Sequence, residues 1–235
     1  MENNTKIQIS TPGAIIVAGV LIMIAILATK FPDKTNTVAT DKTAAPATEA
    51  VVKPVTNDEH IRGDLQTAKV VIIEYSDLEC PFCKNFHSAM NNVIAKYPGK
   101  VAWVYRHFPL DMHPKARTEA MATECVASLG GNDAFWQYVD SIFAITPTNN
   151  KLDLALLPTL ATKVGVDKDA FNDCLAKGTF EAKLDASIQD GLKAGVEGTP
   201  HSIIVTRDGT QYPIKGADEA KLNSTLEVLL EDKQD

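Results

Sequence analysis

The sequence predicts an α/β domain in which a long helical block interrupts a small sheet. The run from Lys69 to Tyr75 is β-branched and apolar, which is typical of a buried strand. Residues from about Pro114 to Gly195 show apolar spacings near the helical period of about 3.6 residues and no convincing strand pattern. The predicted order is therefore strand, helix, strand, helical block, hairpin, helix.

The first half of this order rests on local signals. A helical pattern runs from Pro81, a residue suited to a first helical turn, to Tyr97, and it stops at Pro98-Gly99. Val101 to His107 forms the second predicted strand.

The second half of this order consists of a hairpin and a final helix. Ser202 to Thr206 and Gln211 to Lys215 are predicted to pair as a hairpin, because Arg207-Asp208-Gly209 between them is a turn signal. A final helix is predicted from Asp218 to Leu230, with its leucines on one face.

The composition of the chain excludes several classes of protein. The chain has 235 residues, 45% hydrophobic and 23% charged, so it is not disordered as a whole. The net charge of -7 gives no basic surface, so nucleic acid is not expected as a partner. Four cysteines are too few for a small domain held together mainly by disulfides, so the role of the cysteines must be inferred from their positions in the sequence.

The N-terminal region predicts a membrane anchor. Gly13 to Ala28 is almost purely apolar and is about as long as one membrane crossing, so residues 1–30 are predicted to be a transmembrane helix. A cleaved signal peptide is the alternative, but Ile26 stands where a small residue is needed before the cleavage site. Residues 31–56 are rich in Thr, Ala and Pro and are predicted to be a flexible linker to the folded part, 57–235.

Cys80 and Cys83 lie three residues apart at a strand-to-helix junction, close enough for a disulfide. The N-H groups and the dipole of a helix N-terminus stabilise a thiolate, which is the reactive species in disulfide exchange. Cys80 is nearer that end and is predicted to be the nucleophile. Zinc or an inert disulfide are the alternatives, but no second C-x-x-C and no paired histidine spacing supplies further ligands, so no metal is expected.

The segment E-Y-S-D-L-E-C-P-F-C-K-N-F resembles the active-site segment of the DsbA-like thioredoxin-fold oxidoreductases. The resemblance extends over about His60 to Leu230, with R-H-F-P-L at Arg106 to Leu110 and G-T-P before the hairpin. It implies a thioredoxin fold with an inserted helical domain at about 112–195. It also implies that the Cys80–Cys83 disulfide is the redox group and that no other cofactor is needed.

The same resemblance implies roles for other residues. Thr199 and Pro200 match the family's cis-proline loop, which offers backbone to an extended substrate, with an ordinary turn proline as the alternative. Glu74 matches a buried acid that accepts a proton from Cys83, and an exposed acid is the alternative. Pro81 and Phe82 form the dipeptide that tunes the redox potential. Phe82 replaces the histidine of the best-known oxidases, which argues against strong oxidising power.

Cys125 and Cys174 lie in the helical block and resemble the second, non-catalytic disulfide of some family members. A disulfide between them would close a loop of about fifty residues and, in the chain-entropy model, would stabilise the folded state by about 4 kcal/mol. Such a bridge requires an oxidising compartment. Two buried free thiols are the alternative.

The expected function is oxidation of cysteine thiols in unfolded or extended exported proteins. A quinone-linked, DsbB-like membrane partner would reoxidise the dithiol, or a reducing partner would serve a reductase. The catalytic domain is expected outside the cytoplasm, in the periplasm or outer cell envelope, anchored in the cytoplasmic membrane. A reductase or isomerase of the same fold, and a peptide-binding chaperone without redox turnover, are the alternative hypotheses.

Overall fold

A computed structural model describes residues 52–231 of the chain, in which a five-stranded sheet is packed against helices. The strands are β1 His60–Arg62, β2 Val70–Ser76, β3 Val101–His107, β4 His201–Thr206 and β5 Gln211–Lys215. The helices are α1 Pro81–Lys96, α2 Ala116–Ile145, α3 Leu157–Lys163, α4 Lys168–Ala176, α5 Glu181–Lys193 and α6 Glu219–Leu230, with a 3-10 turn at Leu154–Leu156.

The sheet is mixed, with strand order β1-β3-β2-β4-β5. β2 is central and pairs in parallel with β3 and antiparallel with β4. β1 and β5 are the antiparallel edge strands. Because β2 and β3 run in the same direction, their C-terminal ends meet at one edge, and β2 leads from there directly to the cysteine pair.

The two faces of the sheet bury two apolar clusters. Val70 and Ile72 of β2 pack into the larger cluster, which includes residues of α1, α6 and the helical block. Ile73 and Tyr75 of β2 pack into a smaller cluster with residues of the segment that follows α5. This alternation is the two-residue period of a strand covered on both faces, which explains why the run was almost continuously apolar.

The helical block runs from α2 to α5 and lies within the predicted range of 112–195. Its long first helix is broken at Gly131, where φ is 80° and a side chain would be strained. Gly191 of α5 lies so close to Phe108 that an added Cβ would stand 2.6 Å from that ring. The absence of a side chain therefore lets α5 approach the end of β3.

The predicted strands and helices are present within one residue at each end, with two corrections. Strand β1 was missed, because three residues are too few to show an alternating pattern. The predicted linker was also too long at its C-terminal end. Val52 is buried, its N-H donates to the Gln211 side chain (3.3 Å), and the Lys53 carbonyl accepts from Arg106 (2.9 Å). The sheet face therefore covers Val52 although the surrounding sequence has no apolar period, whereas Lys53 is exposed and is held through its backbone.

The predicted transmembrane helix, 1–30, and residues 31–51 of the predicted linker lie outside the described residues. Among residues 52–231, no helix has the length and apolar character needed to span a bilayer.

Candidate active site

The two cysteines at the start of α1 lie at the C-terminal end of the central strand. Cys80 is the N-cap residue of α1, Pro81 stands in its first turn, and Cys83 is one turn along. Both are free thiols and both are largely enclosed, with 3% of Cys80 exposed and none of Cys83. A substrate sulfur can therefore reach Cys80 more easily than Cys83.

The two thiols differ strongly in acidity. The hydrogen bond from the Cys83 thiol is the main reason why the pKa of Cys80 is lowered to about 6, against an opposing effect of burial. The backbone N-H groups of Phe82 and Cys83 at the helix start lower it further. Burial raises the pKa of Cys83 well above its ordinary value, and the nearby Cys80 sulfur adds to the rise. At neutral pH the pair therefore carries one thiolate, on Cys80.

The loop before β4 faces this pair. The Thr199–Pro200 peptide bond is cis, and the Cys80 thiol lies 3.4 Å from the Thr199 carbonyl oxygen, to which it can donate. The Thr199 side chain also lowers the pKa of both thiols. The structure thus brings the predicted loop beside the predicted nucleophile.

Glu74 lies behind the thiols on β2 and is fully buried, as expected for the acid of this family. Neither carboxylate oxygen has a partner at hydrogen-bond geometry within the described part of the chain, although the Ser76 and Trp103 side chains are near enough to lower the pKa of Glu74. Burial raises the pKa of Glu74 to about 7, and the negative charge of Cys80 contributes to the rise. The Glu74 carboxylate in turn raises the pKa of Cys83. The two groups are therefore electrostatically coupled.

Asp77 and Glu79 form a second acidic network, which sequence reasoning did not find. Both side chains are buried. Asp77 accepts hydrogen bonds from the Glu79 N-H (2.7 Å), from the Leu110 N-H (2.8 Å) and from His113 Nδ1 (2.9 Å). Its own N-H donates to Cys83 Sγ (3.5 Å). Asp77 therefore ties the active-site segment to the loop after β3.

Glu79 anchors a loop of the helical block beside Cys80. Its carboxylate accepts from the N-H groups of Asn150 and Leu152, and its carbonyl accepts from the Asn149 N-H (2.8 Å). Neither Asp77 nor Glu79 could be assigned this role from the sequence. The only available signal was two acids flanking Leu78 just before the cysteine motif, and acids in such loops are usually solvated.

Phe82, between the two cysteines, is 63% exposed. Its ring therefore lies in solvent beside the reactive sulfurs.

Cys125 and Cys174 are joined by a disulfide that links α2 to α4, with a Cα–Cα distance of 5.9 Å and a sequence separation of 49 residues. Cys125 is fully buried in the large apolar cluster, and Cys174 packs against that cluster. The bridge lies inside the helical block, where it constrains the fold.

Comparison with known proteins agrees with this arrangement. A family model described as "Thioredoxin" matches residues 55–227. Among curated proteins, the chain is 34% identical over 149 residues to the Na(+)/H(+) antiporter NhaA 3 of Salinispora tropica, and 33% identical over 124 residues to NhaA 1 of Mycobacterium sp. (strain KMS). The chain spans about a fifth of the length of these relatives (22% and 19%), so the match concerns only a part of each antiporter.

Solved structures resemble most of the chain. Pseudomonas aeruginosa DsbA2 is 29% identical with a TM-score of 0.63, covering 78% of this chain and 100% of that one. Oxidised BdbD of Bacillus subtilis is 25% identical with a TM-score of 0.65, covering 79% and 100%. Wolbachia pipientis alpha-DsbA1 is 25% identical with a TM-score of 0.61, covering 74% and 90%.

The family match covers the sheet, the helical insert and the cysteine pair at the start of α1. The chain belongs to the thioredoxin family and has the fold of its DsbA-like thiol-disulfide oxidoreductases.

Proposed function

We propose that this chain is a protein-disulfide oxidoreductase that oxidises cysteine thiols of unfolded exported proteins through Cys80 and Cys83. The difference in acidity between the two thiols carries the proposal, because it gives one thiolate at the accessible sulfur. A lowered pKa of Cys80 stabilises the reduced form, which makes the disulfide form a better oxidant. Its value of about 6 lies between those of thioredoxin, about 7, and DsbA, about 3.5.

The reaction balances as two exchanges. A substrate thiolate attacks Cys80 Sγ of the Cys80–Cys83 disulfide, forms a mixed disulfide and releases the Cys83 thiolate. Cys83 takes a proton, and we assign Glu74 as the donor because it is electrostatically coupled to Cys83 and its pKa of about 7 is far below that of Cys83. A second substrate thiolate then attacks the substrate sulfur of the mixed disulfide and expels Cys80. The substrate loses two electrons, and the enzyme dithiol gains them.

In this proposal the Thr199 carbonyl and the backbone around Pro200 receive the extended substrate, and Phe82 contacts it. No cofactor other than the Cys80–Cys83 disulfide takes part. A membrane partner of the quinone-linked, DsbB-like kind then accepts the two electrons.

We further propose that the domain works outside the cytoplasm, held by the apolar span within residues 1–30. The Cys125–Cys174 disulfide supports an oxidising compartment. A membrane-impermeant thiol reagent should label Cys80 in intact cells after mild reduction. Labelling only after cell lysis would contradict this location.

The deciding experiment mixes the full chain in its disulfide form with a reduced, unfolded protein and follows loss of substrate thiols. The Cys80→Ser, Cys83→Ser variant should have no activity. The Cys125→Ala, Cys174→Ala variant removes the same number of cysteines and should retain exchange, assayed below its melting temperature. Equal activity of the first variant and the wild type would refute the proposal.

The direction of electron flow needs a separate measurement, the equilibrium of Cys80 and Cys83 with glutathione. Phe82 in place of histidine favours the reductase as the second candidate, because a thiolate-stabilising group is missing. A potential near that of thioredoxin, about -270 mV, would assign the reductase. Binding of extended peptides that persists in the Cys80→Ser, Cys83→Ser variant, without any exchange by the wild type, would assign the chaperone.

A further inference from the structure

His60, His107 and Glu124 are far apart in sequence but meet in the fold. They come from β1, from the last position of β3 and from α2, and all three are buried. Each offers one ligand atom, and the three atoms lie within 4.8 Å of one another. Glu124 Oε1 is 2.8 Å from His60 Nε2 and 3.4 Å from His107 Nε2.

We propose that His60, His107 and Glu124 bind a divalent transition-metal ion of the zinc class. Tetrahedral zinc with bonds of about 2.0–2.1 Å holds its ligand atoms about 3.3 Å apart, so small side-chain movements would bring the three atoms around an ion. Two imidazole nitrogens and one carboxylate, with an open position, suit zinc or ferrous iron. Calcium and magnesium prefer oxygen ligands and are not the expected occupants.

Lys183 of α5 supplies the competing cation. Its ammonium lies 2.7 Å from Glu124 Oε2 and 3.4 Å from His60 Nε2. The Lys183 side chain is 45% exposed, so the ammonium can withdraw into water without unfolding the helix. A metal ion between Glu124 Oε1 and His60 Nε2 would lie close to the Lys183 ammonium, so the two positive charges repel each other and compete for the Glu124 carboxylate.

Both imidazole rings direct Nε2 toward Glu124 Oε1. Each of these nitrogens can bind a metal ion in the tautomer that carries the ring proton on Nδ1.

A cavity gives room beside these residues. It has a volume of about 240 Å³ and is lined by His60, His107, Glu124 and Lys183, together with Arg106 and Asp190. The Arg106 guanidinium also lines the cavity, but it is paired with Glu59 and Asp190 at 2.8 Å each, so its charge is largely compensated. The site shares no residue with the dithiol.

The test titrates zinc ions into the full chain by calorimetry, with Cys80 and Cys83 in the disulfide form so that neither sulfur can bind metal. We expect one bound ion for each chain and a rise in melting temperature, because only the folded state holds the three ligands together. His107→Ala and Glu124→Gln should each weaken zinc binding at least tenfold. Loss of a residue that only supports a metal ligand already weakens binding by about 10- to 100-fold, and these two variants change a ligand itself.

Lys183→Met is the more discriminating variant, because it removes the competing ammonium group and should tighten zinc binding about tenfold. Lys177→Met is its matched control, since Lys177 lies on the protein surface in an exposed pair with Asp173, and it should leave the affinity unchanged. Since Lys183 is partly exposed, its variant should fold even where Glu124→Gln does not. The site is refuted if neither the wild type nor Lys183→Met binds zinc, or if His107→Ala and Lys183→Met both bind as the wild type does.

Discussion

Glu74 and Glu124 are equally buried but differ in almost every other property. Glu74 has no hydrogen-bond partner for its carboxylate within residues 52–231, and burial raises its pKa to about 7. Glu124 also loses solvation, but His107, His60 and Lys183 surround its carboxylate, and its pKa is well below the usual range. Burial alone therefore does not set the charge of a carboxyl group, because the neighbouring donors decide it.

The comparison separates two uses of a buried acid. An isolated carboxyl group near neutral pKa can exchange a proton with a neighbouring thiol. A fully paired carboxylate is a fixed charge that holds β1, α2 and α5 together.

The largest effect is expected for Glu124→Ala. Removing one member of a buried ionic network leaves the buried ring of His60 without its acceptor and the Lys183 ammonium without its carboxylate, so the free energy of unfolding should fall by about 3 kcal/mol. Denaturant unfolding at pH 7 measures this. Glu227→Ala, an exposed glutamate whose partner Lys96 is also exposed, serves as control and should change little. A loss below about 1 kcal/mol would mean that the Glu124 network adds nothing to stability.

Glu74→Gln should have the opposite sign. The folded pKa of Glu74, about 7, lies above the ordinary value of 4.5, so stability is present at low pH and is lost as pH rises from 4.5 through 7. At pH 8 the neutral glutamine should therefore raise the free energy of unfolding by about 2–3 kcal/mol.

Unfolding curves from pH 4 to pH 8 in a Cys80→Ser, Cys83→Ser background measure this without thiol titration. Burial raises the pKa of Glu119 to about 9, and its contribution is the same in both chains and cancels. An unchanged pH slope in Glu74→Gln would show that Glu74 is not an isolated buried acid.

The same Glu74→Gln variant should slow disulfide exchange about tenfold, or about 1.4 kcal/mol of barrier, because Cys83 loses its proton partner. The decrease should be greatest below pH 7, where the wild-type carboxyl group is protonated and can supply the proton, and should become smaller as pH rises above 7. Stopped-flow oxidation of a reduced peptide at several pH values measures it. Identical rates at every pH would remove Glu74 from the mechanism while leaving the stability prediction intact.

The smallest effect is expected for Thr199→Val, which keeps the carbonyl that faces Cys80 but loses the hydroxyl. Since the Thr199 side chain lowers the pKa of Cys80, the variant should raise this pKa modestly from about 6. Ultraviolet absorbance of the thiolate against pH, in protein whose Cys80–Cys83 disulfide is reduced, measures the shift. A lower pKa would contradict a stabilising effect of the Thr199 side chain on the Cys80 thiolate.

Much of the fold could be predicted from the sequence. The strands β2 and β3 are covered on both faces, so their apolar runs were visible without a tertiary structure. The bounds of β5 and α6 followed from a turn signal and a leucine face. The predicted fold class with its helical insert is supported by the matched structures. The cysteine pair of the site could be predicted because its two thiols lie three residues apart in sequence, within one helical turn.

The features that could not be predicted depend on contacts between parts of the chain that are distant in sequence. β1 is short and exists through its pairing with β3, and Val52 is buried by a sheet face that follows it in sequence. Asp77 and Glu79 look like ordinary loop acids until Leu110, His113 and Asn150 reach them.

By itself the sequence determined the alternation of strands and helices and the spacing of Cys80 and Cys83, because periodicity and near neighbours are local properties. Only the tertiary structure decided the charge state of each buried acid and the meeting of His60, His107 and Glu124. The physical reason is that desolvation and hydrogen bonding depend on every group within a few ångströms, and most of those groups come from remote positions in the chain.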